Sequence, residues 1–291
     1  MSLDLGVKQC IDCNAIVVYD RFKRFLKCEF CGSENIEEVD RSLADKIKID
    51  KIIPFKITEE EAIKIFEKWI SKGLWEPGEV KREFRRTSAK GIYIPIWHYS
   101  FDVNTYWYGH EKKVRKQTEN TATGKLKTIT IEEFIPRSGS RTERYSLFIP
   151  SSKGFTPGEF MRHHPFQIEN AIPFSDEYLI EKQAEISCLD KNGGFLKAQE
   201  EAKTSEHEHV MTQVDRIDTF NISFSEPIST LYYVPVWIFG FKYYSKYYRI
   251  IINGITGELF GKKPTSKTKV ALAIAIPSVI IIITVIYLLV R

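Results

Sequence analysis

The longest apolar run in the chain lies at its C-terminal end, from Val270 to Val290, and contains no charged residue. At about 1.5 Å of rise per residue, a helix of this length is roughly 31 Å long, which matches the hydrocarbon core of a bilayer. Helices in soluble proteins usually keep a polar face, and this segment has few polar side chains to form one. The pattern predicts a transmembrane helix, with a buried core helix as the alternative.

A second apolar pattern has helical spacing and begins after Thr58. Thr58 can cap a helix, and Glu61 stands at the position that completes a capping box. Ile63, Phe66 and Ile70 then share one face of the predicted helix. We therefore expect an amphipathic helix here, packed through that face onto a sheet.

In two further segments, 93–108 and 231–252, aromatic or β-branched residues recur with a period of two, which predicts strands. The first contains Tyr93-Ile-Pro-Ile-Trp97, and the second repeats the pattern as Tyr233-Val-Pro-Val-Trp237. Asn253-Gly254 marks a hairpin-like turn after the second segment. The high content of Phe and Tyr also favours strand-rich packing.

An upstream motif is repeated as well, because Ile53-Pro-Phe55 has a counterpart in Ile172-Pro-Phe174 and each precedes a predicted helix. In the second copy the candidate helices are Glu177 to Glu185 and Phe195 to Met211, separated by Asn192-Gly-Gly194. The recurrence of several elements in the same order predicts an internal duplication.

Four of the five cysteines form two Cys-x-x-Cys pairs, Cys10 with Cys13 and Cys28 with Cys31. This spacing is typical of a structural zinc site in which two tight turns present four thiolates to one Zn²⁺. Disulfides are disfavoured if the domain is cytoplasmic, and an iron–sulfur site is the less favoured metal alternative. The fifth cysteine, Cys188, is expected to be an ordinary buried thiol.

Together these patterns predict an α+β fold with an N-terminal zinc ribbon, two duplicated helix-on-antiparallel-sheet modules and one C-terminal transmembrane helix. The predicted boundaries are 1–42 for the ribbon, 43–160 for the first module with a charged loop, 161–262 for the second module, and 263–291 for a basic linker and the transmembrane helix.

Charge changes this picture mainly at the C-terminal end. Lysines precede the apolar run, whereas Arg291 alone follows it, which predicts a single-pass protein of the cell membrane with most of the chain in the cytoplasm. The same lysines could contact anionic lipid headgroups of the bilayer. These membrane-flanking residues are Lys262, Lys263, Lys267 and Lys269.

The sequence contains few signs of catalysis. It has no phosphate-binding loop, no Gly-x-Ser-x-Gly and no His-Glu-x-x-His, and His98 is expected to be a packing residue because its counterpart is Ile238. Glu206-His-Glu-His209 places its histidines on different helix faces, which makes a poor metal site. His163-His164 is interpreted as part of a loop. An enzyme with an unrecognised site remains the least favoured class.

Segment 112–144 is polar and basic and could form a long hairpin or a loop. Its cluster of Lys112, Lys113, Arg115 and Lys116 would suit nucleic acid or a lipid surface, although the neighbouring residues favour a solvated segment. The net charge of +4 is too small to imply a nucleic-acid partner by itself.

The cysteine pairs, Ile172-Pro-Phe-Ser-Asp-Glu-Tyr-Leu179, the Tyr-x-Pro-x-Trp strands and Tyr248-Arg-Ile-Ile-Ile-Asn-Gly-Ile-Thr-Gly-Glu258 resemble bacterial TFIIB-type zinc-ribbon proteins. Members are often labelled as related to the primosomal helicase PriA, but this chain has no motor motif. The resemblance implies structural zinc and, for membrane-anchored relatives, recruitment of SPFH-domain or phage-shock-type proteins during envelope stress.

We therefore predict a non-enzymatic, membrane-tethered adaptor or scaffold. Its zinc ribbon and α+β modules would recruit cytoplasmic or membrane proteins as partners. The alternative function is a tethered zinc-ribbon module that binds nucleic acid, and this alternative predicts salt-dependent binding.

Overall fold

The computed structural model describes residues 5–20, 27–40, 42, 48–71, 89–120, 126–161, 166–180, 182–243 and 246–290 of the 291-residue chain. About half of it is strand. Among the described residues, two strand pairs are parallel, and the others with a defined register are antiparallel. The structure is thus mixed α/β. The predicted α+β class was wrong because short segments from elsewhere in the chain enter the sheet alongside the Tyr-x-Pro-x-Trp strands.

The elements are as follows. In chain order the strands are β1 (Leu5–Cys10), β2 (Ile16–Asp20), β3 (Ile36–Glu38), β4 (Lys51–Ile52), β5 (Lys90–Asn120), β6 (Leu126–Pro150), β7 (Ile172–Pro173), β8 (Gln183–Glu185), β9 (Arg216–Phe224), β10 (Ile228–Tyr243), β11 (Lys246–Asn253) and β12 (Leu259–Gly261). The α-helices are α1 (Glu59–Ser71), α2 (Pro157–Met161), α3 (Lys191–Met211) and α4 (Lys267–Val290).

The chain divides into two compact units, the first of which comprises Met1–Ile96, Pro150–Cys188 and Tyr232–Arg291. Strand order in the first unit is β12-β11-β10-β5-β8-β2-β1-β3. The N-terminal strands are therefore continuous with the sheet, because β2 pairs with β8 through Val17 and Val18. The sequence between the two cysteine pairs predicts strands at Ala15–Tyr19 and Phe25–Lys27. The first is confirmed as β2, whereas 25 and 26 of the second lie outside the described residues.

Helix α1 has the predicted start and the predicted apolar face. The Thr58 amide donates to the Glu61 carboxylate at 2.9 Å, and the Glu61 amide donates to the Thr58 hydroxyl at 3.2 Å, which confirms the capping box. The buried face includes Phe66, whose ring stacks on Phe239 with centroids 4.3 Å apart. This contact fixes α1 on the sheet of the first unit.

The second unit, Trp97–Ile149 and Leu189–Leu231, is an antiparallel sheet with α3 on one face. Trp107 packs there against Val210 and Val214. The helix begins before the predicted break at Asn192-Gly-Gly194, because Asp190 caps it by accepting from the Gly193 amide at 2.7 Å. Gly194 is needed at this place, since a Cβ there would collide with the Tyr99 hydroxyl.

The two Tyr-x-Pro-x-Trp strands make matching hydrogen bonds. The indole of Trp97 donates to the Leu189 carbonyl at 3.0 Å, immediately before α3. The indole of Trp237 donates to the Ile57 carbonyl at 2.9 Å, immediately before α1. The strand of each predicted copy therefore holds the start of the helix that belongs to the other copy.

The proline carbonyls of these strands show the same correspondence. The Pro95 carbonyl accepts from the Ser151 amide, and the Ser151 carbonyl accepts from the Cys188 amide. In the other copy, the Pro235 carbonyl accepts from the Gly254 amide, and the Gly254 carbonyl accepts from the Lys56 amide. The structural counterpart of the segment before α1 is thus the segment before α3. The two Ile-Pro-Phe motifs do not pair with each other, because β7 (Ile172–Pro173) pairs with Lys51–Ile52 of β4, which precedes Ile53-Pro-Phe55.

Two local predictions had different outcomes. The helix predicted over Glu177–Glu185 was wrong, because that region forms a 3₁₀ turn at Asp176–Leu179 followed by β8. The turn predicted at Asn253-Gly254 is confirmed. The Asn253 side chain accepts from the amides of Ile255 and Thr256, and Gly257 takes a φ of 74°.

The C-terminal helix α4 does not support the predicted membrane span. In the part of the chain that the structure describes, no helix is both long enough and apolar enough to cross a bilayer. By this criterion the predicted transmembrane helix and the membrane location inferred from it were wrong.

Two of the four lysines that were predicted to flank a membrane have described side chains. Lys262 is exposed, and the ammonium of Lys263 lies 4.7 Å from the centroid of the Trp69 ring on α1. The side chains of Lys267 and Lys269 lie outside the described set. Lys263 therefore has a packing partner within the first unit.

Candidate metal centre

The structure brings the four predicted ligands together at the N-terminal end of the first unit. Their sulfur atoms all lie within 4.8 Å of one another. Cys10 Sγ and Cys31 Sγ are 3.5 Å apart, and Cys13 Sγ and Cys28 Sγ are 3.6 Å apart. A tetrahedral ion with Zn–S bonds of about 2.3 Å places its sulfurs about 3.8 Å apart. The cluster fits a structural Zn²⁺ site, and the predicted cofactor is confirmed.

The two knuckles (the turns that carry each cysteine pair) have the same backbone hydrogen bonds. In the first knuckle the Asn14 amide donates to the Cys10 carbonyl at 2.8 Å. In the second the Gly32 amide donates to the Cys28 carbonyl, also at 2.8 Å. Asn14 and Gly32 both have positive φ, 58° and 76°, as this turn requires.

The second knuckle is anchored to β11. The Tyr247 hydroxyl donates to the Glu29 carbonyl at 3.2 Å, and the Arg249 guanidinium donates to the Phe30 carbonyl at 3.0 Å. Gly32 lies flat against the Tyr247 ring, where any Cβ would collide. The residues between Cys28 and Cys31 therefore rest on the sheet of the first unit.

An aromatic contact also anchors the second knuckle. The ring of Phe30 meets the ring of Phe155 edge to face, with centroids 5.7 Å apart. Gly154 leaves the space that Phe30 occupies, since a Cβ there would overlap its ring. Arg249 lies over Phe155, and its Nη2 donates to both carboxylate oxygens of Glu159 at 2.7 and 2.8 Å.

A buried carboxylate supports the loop under Phe30. Glu185 is 0% exposed, and its Oε1 accepts from the amides of Lys153 and Gly154 at 2.7 and 2.8 Å. Its Oε2 accepts from the Ser152 hydroxyl. Burial raises the pKa of Glu185 to about 7, although these donors and Arg249 oppose the rise.

Two of the four thiols, Cys28 and Cys31, have a raised pKa when no metal is bound. The pKa of the Cys28 thiol is well above its usual range, because Cys13 shares a hydrogen bond with it and because it is buried. Burial also raises the pKa of Cys31 to about 11. Since zinc binds thiolates, loading this site releases protons, and metal affinity will fall as the pH falls.

Other residues singled out from the sequence do not join this cluster. His98 bonds Ser146 at 2.8 Å and packs on Phe148, with a pKa lowered by burial, which agrees with a packing position. Cys188 was expected to be buried but is exposed. His163 and His164 lie outside the described residues.

The basic cluster lies on β5, within a long hairpin with β6 that was one of the two predicted forms. Its charges face glutamates of β6. Lys112 lies 2.6 Å from Glu132, and Arg115 lies 3.9 Å from Glu133. This pairing lowers the positive potential that a polyanion would require.

Comparisons with known proteins add one relative and no activity. No family model and no solved structure match the chain. The uncharacterized protein YdjG of Bacillus subtilis (strain 168) is 25% identical to this chain over 226 residues. The match covers 76% of this chain and 65% of that protein, so the chain spans slightly less than two thirds of the relative's length.

Sequence reasoning missed the anchoring residues Tyr247, Arg249 and Glu185. Each is far from the cysteines along the chain, and a Tyr or an Arg in a strand has many ordinary roles. One signal was present, because an acidic residue within the apolar and small surroundings of Ala184 and Ile186 indicates a specific partner.

Proposed function

We propose that this protein is a non-enzymatic adaptor that holds a partner protein through its zinc ribbon. Four thiolates close the coordination sphere of zinc and leave no position for a water molecule or a substrate, which favours a structural metal. The chemistry of the ligand set therefore supports a binding role for the ribbon.

The observation that carries the proposal is the contrast between the knuckles. Ile11, between the first two ligands, is 44% exposed, and Asp12 beside it is also exposed. The second knuckle uses its backbone and Phe30 to contact its own chain. An exposed apolar side chain on a turn held by metal is a preorganised contact point for a protein partner.

The family resemblance suggests which partners to test first. We propose that the chain is a divergent TFIIB-type zinc-ribbon protein, and that SPFH-domain or phage-shock-type proteins are the first candidates. This choice is supported by the cysteine spacing and the Tyr-x-Pro-x-Trp strands named above.

The test uses the tagged full-length chain, purified from cells together with its partners and quantified by mass spectrometry. We expect Ile11→Glu to lose a defined set of proteins while keeping one zinc per chain. The matched control is Ile228→Glu, since Ile228 is 72% exposed and belongs to the second unit, whereas the cysteines belong to the first. The proposal fails if the same proteins remain bound to Ile11→Glu, or if Ile228→Glu loses them equally.

Nucleic-acid binding is the second candidate and has less support, because Glu132 and Glu133 face the basic cluster. It predicts that a single-stranded oligonucleotide binds the purified chain at low salt. It also predicts that glutamine at positions 112, 113, 115 and 116 abolishes this binding. No binding at low salt would remove this candidate.

A further inference from the structure

The second knuckle contains the only described ribbon residues whose backbone carbonyls receive side-chain donors from β11. Glu29 and Phe30 stand between the ligands Cys28 and Cys31, so the direction of their carbonyls is coupled to the direction in which both sulfurs point. Tyr247 and Arg249 donate to these two carbonyls. They alternate with Tyr248 along the strand and therefore lie on the same face of it.

Arg249 is itself held in one position. Its side chain is 12% exposed, and its guanidinium bonds the Gly154 carbonyl, the Glu159 carboxylate and the Phe30 carbonyl. Its planar guanidinium can satisfy these acceptors together, which a lysine could not do. Because Arg249 is fixed by these other contacts, its bond to the Phe30 carbonyl can hold the second knuckle in one conformation.

The first knuckle has a different support. Its Ile11 amide donates to the Asn35 carbonyl at 3.0 Å, a bond within the ribbon itself. The hydrogen bonds described for its backbone all stay within the ribbon. One half of the metal site is thus built locally, and the other half depends on residues more than two hundred positions later in the chain.

We infer that Tyr247 and Arg249 are positioning residues of the metal centre, which hold the second knuckle in its ligating conformation and thereby set the zinc affinity. Groups that orient metal ligands without touching the metal typically change affinity by 10–100-fold when they are removed. Because linkage is reciprocal, bound zinc must also stabilise the contact between β11 and the knuckle by the same factor.

The first experiment measures zinc affinity of the full-length chain by competition with a chromophoric chelator. Tyr247→Phe removes only the hydroxyl that donates to Glu29, and we expect affinity to fall roughly 2–10-fold. Tyr248→Phe is the matched control, because this neighbouring ring stacks on Phe241 and faces away from the knuckle. The control should leave zinc affinity unchanged.

The second experiment tests the guanidinium. Arg249→Met should lower zinc affinity about 10–100-fold, and Arg249→Lys should restore part of it by keeping a charge for Glu159. Cobalt(II) substitution reports the thiolate geometry through its absorption bands, which should shift in Arg249→Met. If Arg249→Met does not fold, the Tyr247→Phe measurement decides alone.

The reciprocal readout is amide hydrogen exchange in β11. Chelating zinc should raise exchange at 247–250 in the unaltered chain, and by less in Tyr247→Phe. The inference is overturned if Tyr247→Phe binds zinc as tightly as Tyr248→Phe does. It is also overturned if zinc removal leaves exchange in β11 unchanged.

Discussion

The two zinc knuckles have the same cysteine spacing, the same internal hydrogen bond and a residue of positive φ after the second cysteine, but their surroundings differ. The first presents Ile11 to solvent. The second packs Phe30 and Gly32 against Phe155 and Tyr247. The comparison shows that the local chemistry of a Cys-x-x-Cys turn determines metal geometry, whereas the rest of the fold determines which turn remains available for contact.

The largest effect is expected from removing zinc, because structural zinc contributes roughly 10–16 kcal/mol in zinc-finger peptides. Both knuckles should lose protection, but unequally. We expect the Asn14 amide to exchange faster than the Gly32 amide, since only the second knuckle keeps contacts with β11. Hydrogen exchange with and without chelator measures this difference. Equal exchange at both amides would show that the anchoring contributes nothing without the metal.

The next largest effect is expected at the two left-handed positions. Gly32→Ala adds a Cβ at a φ of 76° and forces it against Tyr247, so we expect a loss of about 2–4 kcal/mol. Asn14→Ala keeps an existing Cβ at a φ of 58° and should lose about 1 kcal/mol. Denaturant unfolding of the zinc-loaded chain gives both values. Similar losses would contradict the difference in packing between the knuckles.

A pH-dependent effect is expected beneath the second knuckle. Because burial raises the pKa of Glu185 to about 7 from its ordinary 4.5, the folded state holds a proton that the unfolded state has released between these values. Stability from this group is therefore fully present below pH 4.5 and declines as the pH rises to and through 7, by about 3 kcal/mol in all.

Glu185→Gln removes this decline, since the amide cannot ionise and can still accept from the loop amides. The unfolding free energy measured from pH 4.5 to 8 should therefore fall less steeply with rising pH in the variant than in the unaltered chain. The control is Glu177→Gln, an exposed carboxyl of the 3₁₀ turn, which should leave the profile as it is. A parallel profile in Glu185→Gln would exclude Glu185 as its source.

The smallest difference is expected between single apolar side chains of the two regions. Phe155→Leu loses the edge contact with Phe30 and the stacking of Arg249, and should cost about 1 kcal/mol. Ile11→Ala, at an exposed position, should stay within about 0.5 kcal/mol. Thermal unfolding of both variants with zinc bound tests the pair. A larger loss at Ile11 would mean that the first knuckle is packed after all.

Sequence reasoning succeeded where the signal is local. Cysteine spacing predicted the zinc ligands, and Thr58 with Glu61 predicted the start of α1. It failed where a distant contact decides. Asn192-Gly-Gly194 suggested a break, but these residues lie inside α3. Residue 194 is a glycine because a side chain there would collide with the Tyr99 hydroxyl. For the same reason, nothing near Cys28 could indicate that Tyr247 and Arg249 would support its turn.

Each predicted copy holds the helix of the other copy, and this exchange has a consequence for biosynthesis. Helix α1 leaves the ribosome long before Trp237 and Phe239, the side chains that receive it, have been translated. Closing such distant contacts slows folding, and the apolar face of α1 stays open in the meantime. Truncated N-terminal chains should therefore be prone to aggregate, and stable folding should wait until β10 and β11 have emerged.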